Sequence, residues 1–205
     1  GVHAAWLEQR RRFVPIWRRW LVGCSGFHRA MLELEASTYD LRNTRRIIVN
    51  SDMVGRDIRE RFKYPAERIH LVRNGVEMDR WQGGEREATR KLWGVDPHEF
   101  LLLFVGSGWE RKGLRCVLSA VGRLNDANLK LAVVGKGKPP GSGSPRVQFV
   151  GAMRDVENAY AAADLFVFPT IYEPSANVCF EALAAGLPVV TSACNGAAEV
   201  IETGV

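Results

Sequence analysis

The sequence has 205 residues, 46% hydrophobic and 25% charged, which gives room for one large domain or two small ones around a sizeable core. No apolar run approaches the roughly 18 residues that cross a bilayer, and no charged stretch followed by an apolar one opens the chain as a signal peptide would. Collagen-like, coiled-coil and disordered compositions are excluded, and the net charge of +5 is concentrated: residues 1–50 hold nine basic and four acidic side chains, while the remainder balances.

In chain order, the opening segment carries that charge. Arg10, Arg11, Arg12, Arg18 and Arg19 are interleaved with Trp6, Trp17, Trp20, Phe13 and Phe27, and Pro15 interrupts them. Three readings fit: an anionic membrane interface, where rings sit at headgroup depth and guanidinium groups meet phosphates; a stacking surface for single-stranded nucleic acid; or a helix with its aromatics inward and its arginines solvated. A helix over Phe27–Tyr39, a short strand Arg46–Asn50, a helix capped by Ser51 or Asp52 and running through Phe62, and a strand Ile69–Val72 follow. They read as an α/β unit entered partway and ending near residue 81. The Gly-rich, polar stretch Gln82–Glu87 marks residues 82–97 as a linker.

From residue 98 to 205 apolar runs recur: Phe100–Val105, Leu129–Val134, Val147–Val150, Leu165–Phe168 and Pro188–Thr191. They are nearly continuous rather than alternating, as parallel strands covered on both faces require. Helical patterns over Gly113–Leu124, Asp155–Ala163 and Asn177–Ala185 lie between most of them, so the fold class is α/β, an open doubly wound parallel sheet. Only the segment Gly135–Arg146 joins two strands without a helix. The chain begins Gly1-Val2-His3 and stops at Gly204-Val205 after a helix-like stretch, so a piece of a longer protein is expected. Cys24, Cys116, Cys179 and Cys194 form no Cys-x-x-Cys pair and have no His at ligand spacing. Reduced thiols are expected, with neither a metal site nor disulfides.

Two stretches carry candidate chemistry. After the strand ending at Phe168, a loop presents Glu173, and a helix begins near Asn177 with Glu181 one turn further on the same face. Ligands of open α/β sheets bind beyond the carboxyl ends of strands, and the amides of Ala176, Asn177 and Val178 make an anion site at the helix start. Two carboxylates flanking such amides suit a sugar phosphate; the alternative is solvated helix-start acids favoured by the dipole. The second stretch, Gly106, Ser107, Gly108, Arg111 and Lys112, follows a buried strand, with small residues for close approach and two cations for a diphosphate. It is no Walker A loop and lacks the third glycine of a dinucleotide fingerprint. Gly135 and the turn Gly151 to Met153 end two further strands, as plain turns or as walls of a base pocket.

Glu173 and Glu181, eight residues apart and followed by Ala-Leu-Ala-Ala-Gly-Leu-Pro-Val-Val, resemble the pattern of GT-B retaining glycosyltransferases of family 4. So do the Gly106–Gly113 turn with its Arg111-Lys112-Gly113, the Val-Val-Gly-Lys-Gly and Val-Gln-Phe-Val-Gly turns, Ala-Ala-Ala-Asp-Leu-Phe-Val-Phe-Pro, and Asn74-Gly75-Val76. Within that family the Gly106 turn and the basic, aromatic opening are similar to the lipopolysaccharide-core glucosyltransferase branch. The resemblance implies a GT-B fold: a Rossmann-like donor domain over 98–205 and, in residues 1–81, the tail of a second Rossmann-like domain.

It also implies roles. Glu181 would hold the ribose hydroxyls of a nucleotide sugar, and Glu173 the hydroxyls of the donor sugar. Arg111 and Lys112, helped by the amides of Ala176, Asn177 and Val178, would stabilise the leaving diphosphate. Gly106, Ser107, Gly108, Gly135, Gly151 and Met153 would line the donor site, with Ser107 standing where many members have Arg. The expected reaction is hexose transfer with retention, from UDP-glucose to a lipid-linked glycan such as lipopolysaccharide core. No metal and no cofactor besides the nucleotide-sugar substrate are expected. Arg10, Arg11, Arg12, Trp17, Arg18, Arg19 and Trp20 would face an anionic membrane on the cytoplasmic side of the bacterial plasma membrane, with no nucleic acid as partner. The alternatives are another donor (GDP-mannose or UDP-GlcNAc), a nucleotide-sugar epimerase, or a non-catalytic basic binding module.

Overall fold

A computed structural model describes residues 2–139 and 144–201. They form two units. The first comprises the residues up to Asn74 together with Ile171–Ser175 and those from Ala193 on; the second comprises Gly75–Thr170 and Ala176–Ser192.

The first unit holds α1 (His3–Arg12), α2 (Gly26–Thr38), β1 (Ile47–Val49), α3 (Asp52–Phe62) and β2 (Ile69–Leu71), with β1 and β2 parallel and Ile47 opposite Ile69. Its core gathers Val2, Ala5, Val49, Val54, Ile58, Tyr64 and Tyr172. Each helix begins on a polar acceptor that satisfies its first amides. Ser25 Oγ accepts from His28 N on α2, and Ser51 Oγ, not Asp52, accepts from Val54 N on α3. The buried carboxylate of Glu35 accepts from the amides of His3 and Ala4, so a side chain of α2 caps α1. At α3, Glu199 accepts from Asp52 N at 2.9 Å and Met53 N at 2.6 Å, and Arg73 ties it to Asp52 at 2.6 Å and 2.8 Å.

The opening segment divides between the sequence readings. In α1 the aromatic Trp6 packs against the core, with the Arg10 guanidinium 5.3 Å from its ring centre. Beyond Pro15 a short 3-10 turn, Ile16–Leu21, buries none of its residues; Trp17 is 66% and Trp20 71% exposed. Arg18 stacks over Trp17 at 4.4 Å.

The second unit opens with α4 (Met78–Gln82) and α5 (Arg86–Trp93). The expected linker 82–97 therefore contains a helix. Glycines 83 and 84 break the chain only briefly, because Arg86 and Arg90 immediately find fixed acceptors. Both pair with Asp164, and the buried Arg90 also donates to the carbonyls of Ala162, Asp96 and Glu99. Then come β3 (Phe100–Val105), α6 (Leu114–Leu124), β4 (Leu129–Val134), β5 (Val147–Gly151), α7 (Val156–Ala162), β6 (Leu165–Phe168), α8 (Asn177–Ala184) and β7 (Val189–Thr191).

These five strands make one all-parallel sheet in the order β5-β4-β3-β6-β7. The chain winds outward from β3 through β4 and β5, then returns to the other side of β3 as β6 and β7. This is the doubly wound arrangement, with its switch point between β3 and β6. Leu101–Val105 and Leu131–Val134 are buried throughout, which accounts for their continuous apolar runs. The described parts of the Gly135–Arg146 segment hold no helix; residues 140–143 of it, and Gly204-Val205, lie outside the described residues.

Candidate functional site

In the second unit the carboxyl ends of the strands converge through backbone contacts that only small residues permit. Gly106 N donates to Val134 O at 2.8 Å, Gly135 N donates to Gly151 O at 2.8 Å, and Lys136 N donates to Ser107 Oγ at 2.9 Å. At Gly135, φ is +137°, and a Cβ there would stand 2.2 Å from the Gly106 carbonyl oxygen. At Gly106, φ is +154°, and a Cβ would meet the Lys112 side chain at 2.8 Å. The missing side chain is thus the space that Lys112 occupies. Gly106, Ser107, Gly135 and Gly151 therefore form one connected edge above β3, β4 and β5.

At the switch point, Lys112 Nζ lies 5.3 Å from the centre of the Phe168 ring at the end of β6. The loop carrying Arg111 is tied to the same strand end: Thr170 Oγ1 donates to Arg111 O at 3.0 Å. Ser192 Oγ, just past β7, donates to Thr170 O at 2.6 Å. The Lys112 ammonium and the main chain of Arg111 are thereby held where a sheet of this winding binds its ligands. Trp109 reinforces the loop by donating Nε1–H to Gly106 O at 2.8 Å, with its ring 5.5 Å from that of Phe149. Met153 follows the end of β5, half-buried.

Beyond Thr170, α8 starts at Ala176 without a side-chain cap and without an acid in its first turn. Asn177 and Glu181, one turn apart, line a pocket of about 140 Å3 whose other walls are Gly75, Val76, Glu77, Arg80 and Trp81. Val178 lies on the same first turn. The Arg80 guanidinium stacks 4.6 Å over the Trp81 ring. Behind the pocket stands a residue that the sequence reading passed over. Tyr160, on α7 and 1% exposed, donates its hydroxyl to Glu181 Oε2 at 2.8 Å. Burial, and next the Glu181 charge, push its phenol well above the ordinary range, so it stays a donor. No spacing rule links positions 160 and 181; the only hint was an aromatic residue inside an alanine-rich helix.

Glu173 belongs to the first unit. Its amide donates to Cys194 O at 2.9 Å and its carbonyl accepts from Gly196 N at 2.9 Å, a short parallel bridge to Asn195. Nearby in the same unit, Tyr172 donates to Asp57 Oδ2 at 2.8 Å and accepts from Val2 N at 3.3 Å. Among the described residues no three His, Cys, Asp or Glu side chains cluster as a metal site requires.

Comparison with known proteins finds two family matches. Residues 99–205 match the family described as glycosyl transferases group 1, and residues 1–80 match glycosyltransferase family 4. A D-inositol 3-phosphate glycosyltransferase of Mycobacterium sp. (strain KMS) is 32% identical over 178 residues, 78% of this chain and 40% of the relative. The lipopolysaccharide glucosyltransferase WaaG of Escherichia coli (strain K12) is 30% identical over 189 residues, 85% of this chain and 50% of the relative. The crystal structure of WaaG superposes with a TM-score of 0.74 at 27% identity, covering 91% of this chain and 53% of that one. Anabaena HepE, solved with UDP and glucose, superposes with a TM-score of 0.71 at 21% identity over 86% of this chain and 50% of its own, a likeness of fold. The chain spans about half the length of the curated relatives it matches.

Proposed function

The chain belongs to the glycosyltransferase family these matches describe, and from that premise we propose that it serves an enzyme moving glucose from UDP-glucose to a lipid-linked glycan. The observation that carries this reading is the pair Arg111 and Lys112, held at the switch point of a Gly-walled sheet edge. A diphosphate needs positive charge there, and on this reading the two side chains supply it in place of a metal. Glu181, in its pocket, accepts from the ribose hydroxyls. Glu173 takes hydroxyls of the donor sugar, and Gly106, Ser107, Gly108, Gly135, Gly151 and Met153 wall the nucleotide.

In the reaction the bond between the sugar C1 and the diphosphate oxygen breaks, and negative charge grows on the leaving group. Arg111, Lys112 and the start of α8 stabilise that charge, the largest contribution these residues can make. The acceptor hydroxyl gives its proton to a phosphate oxygen and bonds C1 on the face just vacated, so configuration is retained and no protein nucleophile is needed.

The lipid-linked acceptor is supported by two facts. WaaG, a relative at 30% identity, is named a lipopolysaccharide glucosyltransferase, and Trp17 and Trp20 stand exposed among arginines as an anionic membrane surface would favour. On this reading the enzyme works peripherally, on the cytoplasmic face; among the described residues no helix is long and apolar enough to cross a membrane. A second acceptor class, a small phosphorylated alcohol, is favoured by the inositol-phosphate relatives at 32% identity.

Calorimetric titration with UDP, UDP-glucose, GDP and NAD tests the reading. UDP should bind, and both Glu181→Ala and the double change Arg111→Ala/Lys112→Ala should weaken it about tenfold or more, the loss expected for a charged hydrogen bond. Tighter GDP binding replaces the donor, and no nucleotide binding by a folded chain overturns the reading.

A further inference from the structure

On the reading that Glu181 holds the ribose, we propose that Tyr160 is its positioning residue: its hydroxyl holds the carboxylate in the ribose-binding orientation before the nucleotide arrives. The Tyr160 ring cannot move to follow a ligand. It is buried, stands edge-on to Trp81 at 5.5 Å and packs on Phe166 at 5.7 Å. Its hydroxyl lies 2.8 Å from Glu181 Oε2 and 3.3 Å from Val178 O, and a phenol has one proton. The shorter, charge-assisted bond takes it.

That bond leaves Glu181 with capacity directed at a ligand. Among the described residues Oε1 accepts no hydrogen bond, and Oε2 keeps a second lone pair. Both oxygens together suit a vicinal diol. Trp81 links the two functions, because one ring forms a wall of the Glu181 pocket and the packing surface for Tyr160. A free glutamate would have to give up its rotamer freedom when the nucleotide binds; here that freedom is already gone. The phenol is raised far above neutrality by burial, so the donor persists across the working pH range.

The experiment compares UDP, 2′-deoxy-UDP and inorganic pyrophosphate on the wild-type chain and on Tyr160→Phe, Glu181→Ala and Glu181→Asp, with thermal midpoints as a check of folding. The wild type should favour UDP over 2′-deoxy-UDP about tenfold. Tyr160→Phe should erase most of that preference and leave pyrophosphate binding unchanged, which a merely structural role would not do. Glu181→Asp keeps the charge but draws it back by one methylene, and it should lose the preference as fully as Glu181→Ala. Equal weakening of all three ligands by Tyr160→Phe overturns the proposal, as does a preference retained by Tyr160→Phe or by Glu181→Asp. If Glu181→Ala itself keeps the preference, or the folded wild type binds no UDP, the ribose reading fails first and the proposal falls with it.

Discussion

Glycines 106 and 135 look alike in the sequence, yet the atoms around them predict different consequences of adding a methyl group. At Gly135 the obstacle is the Gly106 carbonyl oxygen 2.2 Å away, main chain just past the end of β3 whose amide is bonded to Val134 O, so it cannot yield without moving the backbone. Gly135→Ala should therefore cost about 2–3 kcal/mol and lower the thermal midpoint by several degrees, measurable by calorimetry. At Gly106 the nearest atom is the Lys112 side chain, which can swing aside. The backbone strain at φ +154° remains, but the main result of Gly106→Ala should be a displaced cation: UDP affinity falls about tenfold for a modest loss of stability. Sequence reasoning found both glycines by their place at strand ends. It had no means to tell which one faces a lysine and which a carbonyl.

Among the elements, α5 shows how a locally ambiguous stretch is decided by distant partners. Its sequence follows two glycines and reads as linker, but Asp164 accepts from Arg86, Arg90 and the Leu101 amide, joining the helix to the strands. Burial alone would raise the Asp164 carboxyl; those donors outweigh it and hold the pKa below the ordinary value. Its contribution is complete above the unfolded carboxylate pKa near 4 and is lost as pH falls through the folded value. Asp164→Asn should cost about 3 kcal/mol at neutral pH, because Arg90 stays buried with its charge unpaired, and should flatten the acid side of the stability profile. Denaturant titrations at several pH values check both. The core strands needed no such help: β3, β4 and β6 run over the residues that their apolar runs mark.

For the whole molecule, charge and exposure are distributed in a way that predicts behaviour at a surface. The net charge of +5 lies in the first quarter, where Trp17, Trp20 and Ile16 are exposed next to Arg18 and Arg19. In sedimentation assays the chain should bind vesicles rich in phosphatidylglycerol, and binding should fall as salt is raised. Trp17→Ala/Trp20→Ala should weaken that binding about tenfold while leaving UDP affinity unchanged. Equal binding by the double variant would remove the membrane reading of this segment. The exposure that supports it was only one of three readings of the sequence, since arginines and aromatic residues alternate in the same way whether the rings point in or out. Pro15 separates the two cases: Trp6 before it packs inward, and Trp17 and Trp20 after it do not.

By itself the sequence determined the winding of the sheet, the ends of its strands and the stretches bearing cations, carboxylates and glycines. Each of these is written locally, in runs of apolar residues that must be covered and in small residues where the backbone must turn or come close. Only the tertiary structure decided which side chains meet. Tyr160 finds Glu181 across 21 positions, Lys112 fills the space above Gly106, and Glu173 joins the first unit through Cys194 and Asn195. Such pairings depend on how helices and strands are stacked rather than on what any one of them contains, so periodicity and spacing carry no trace of them.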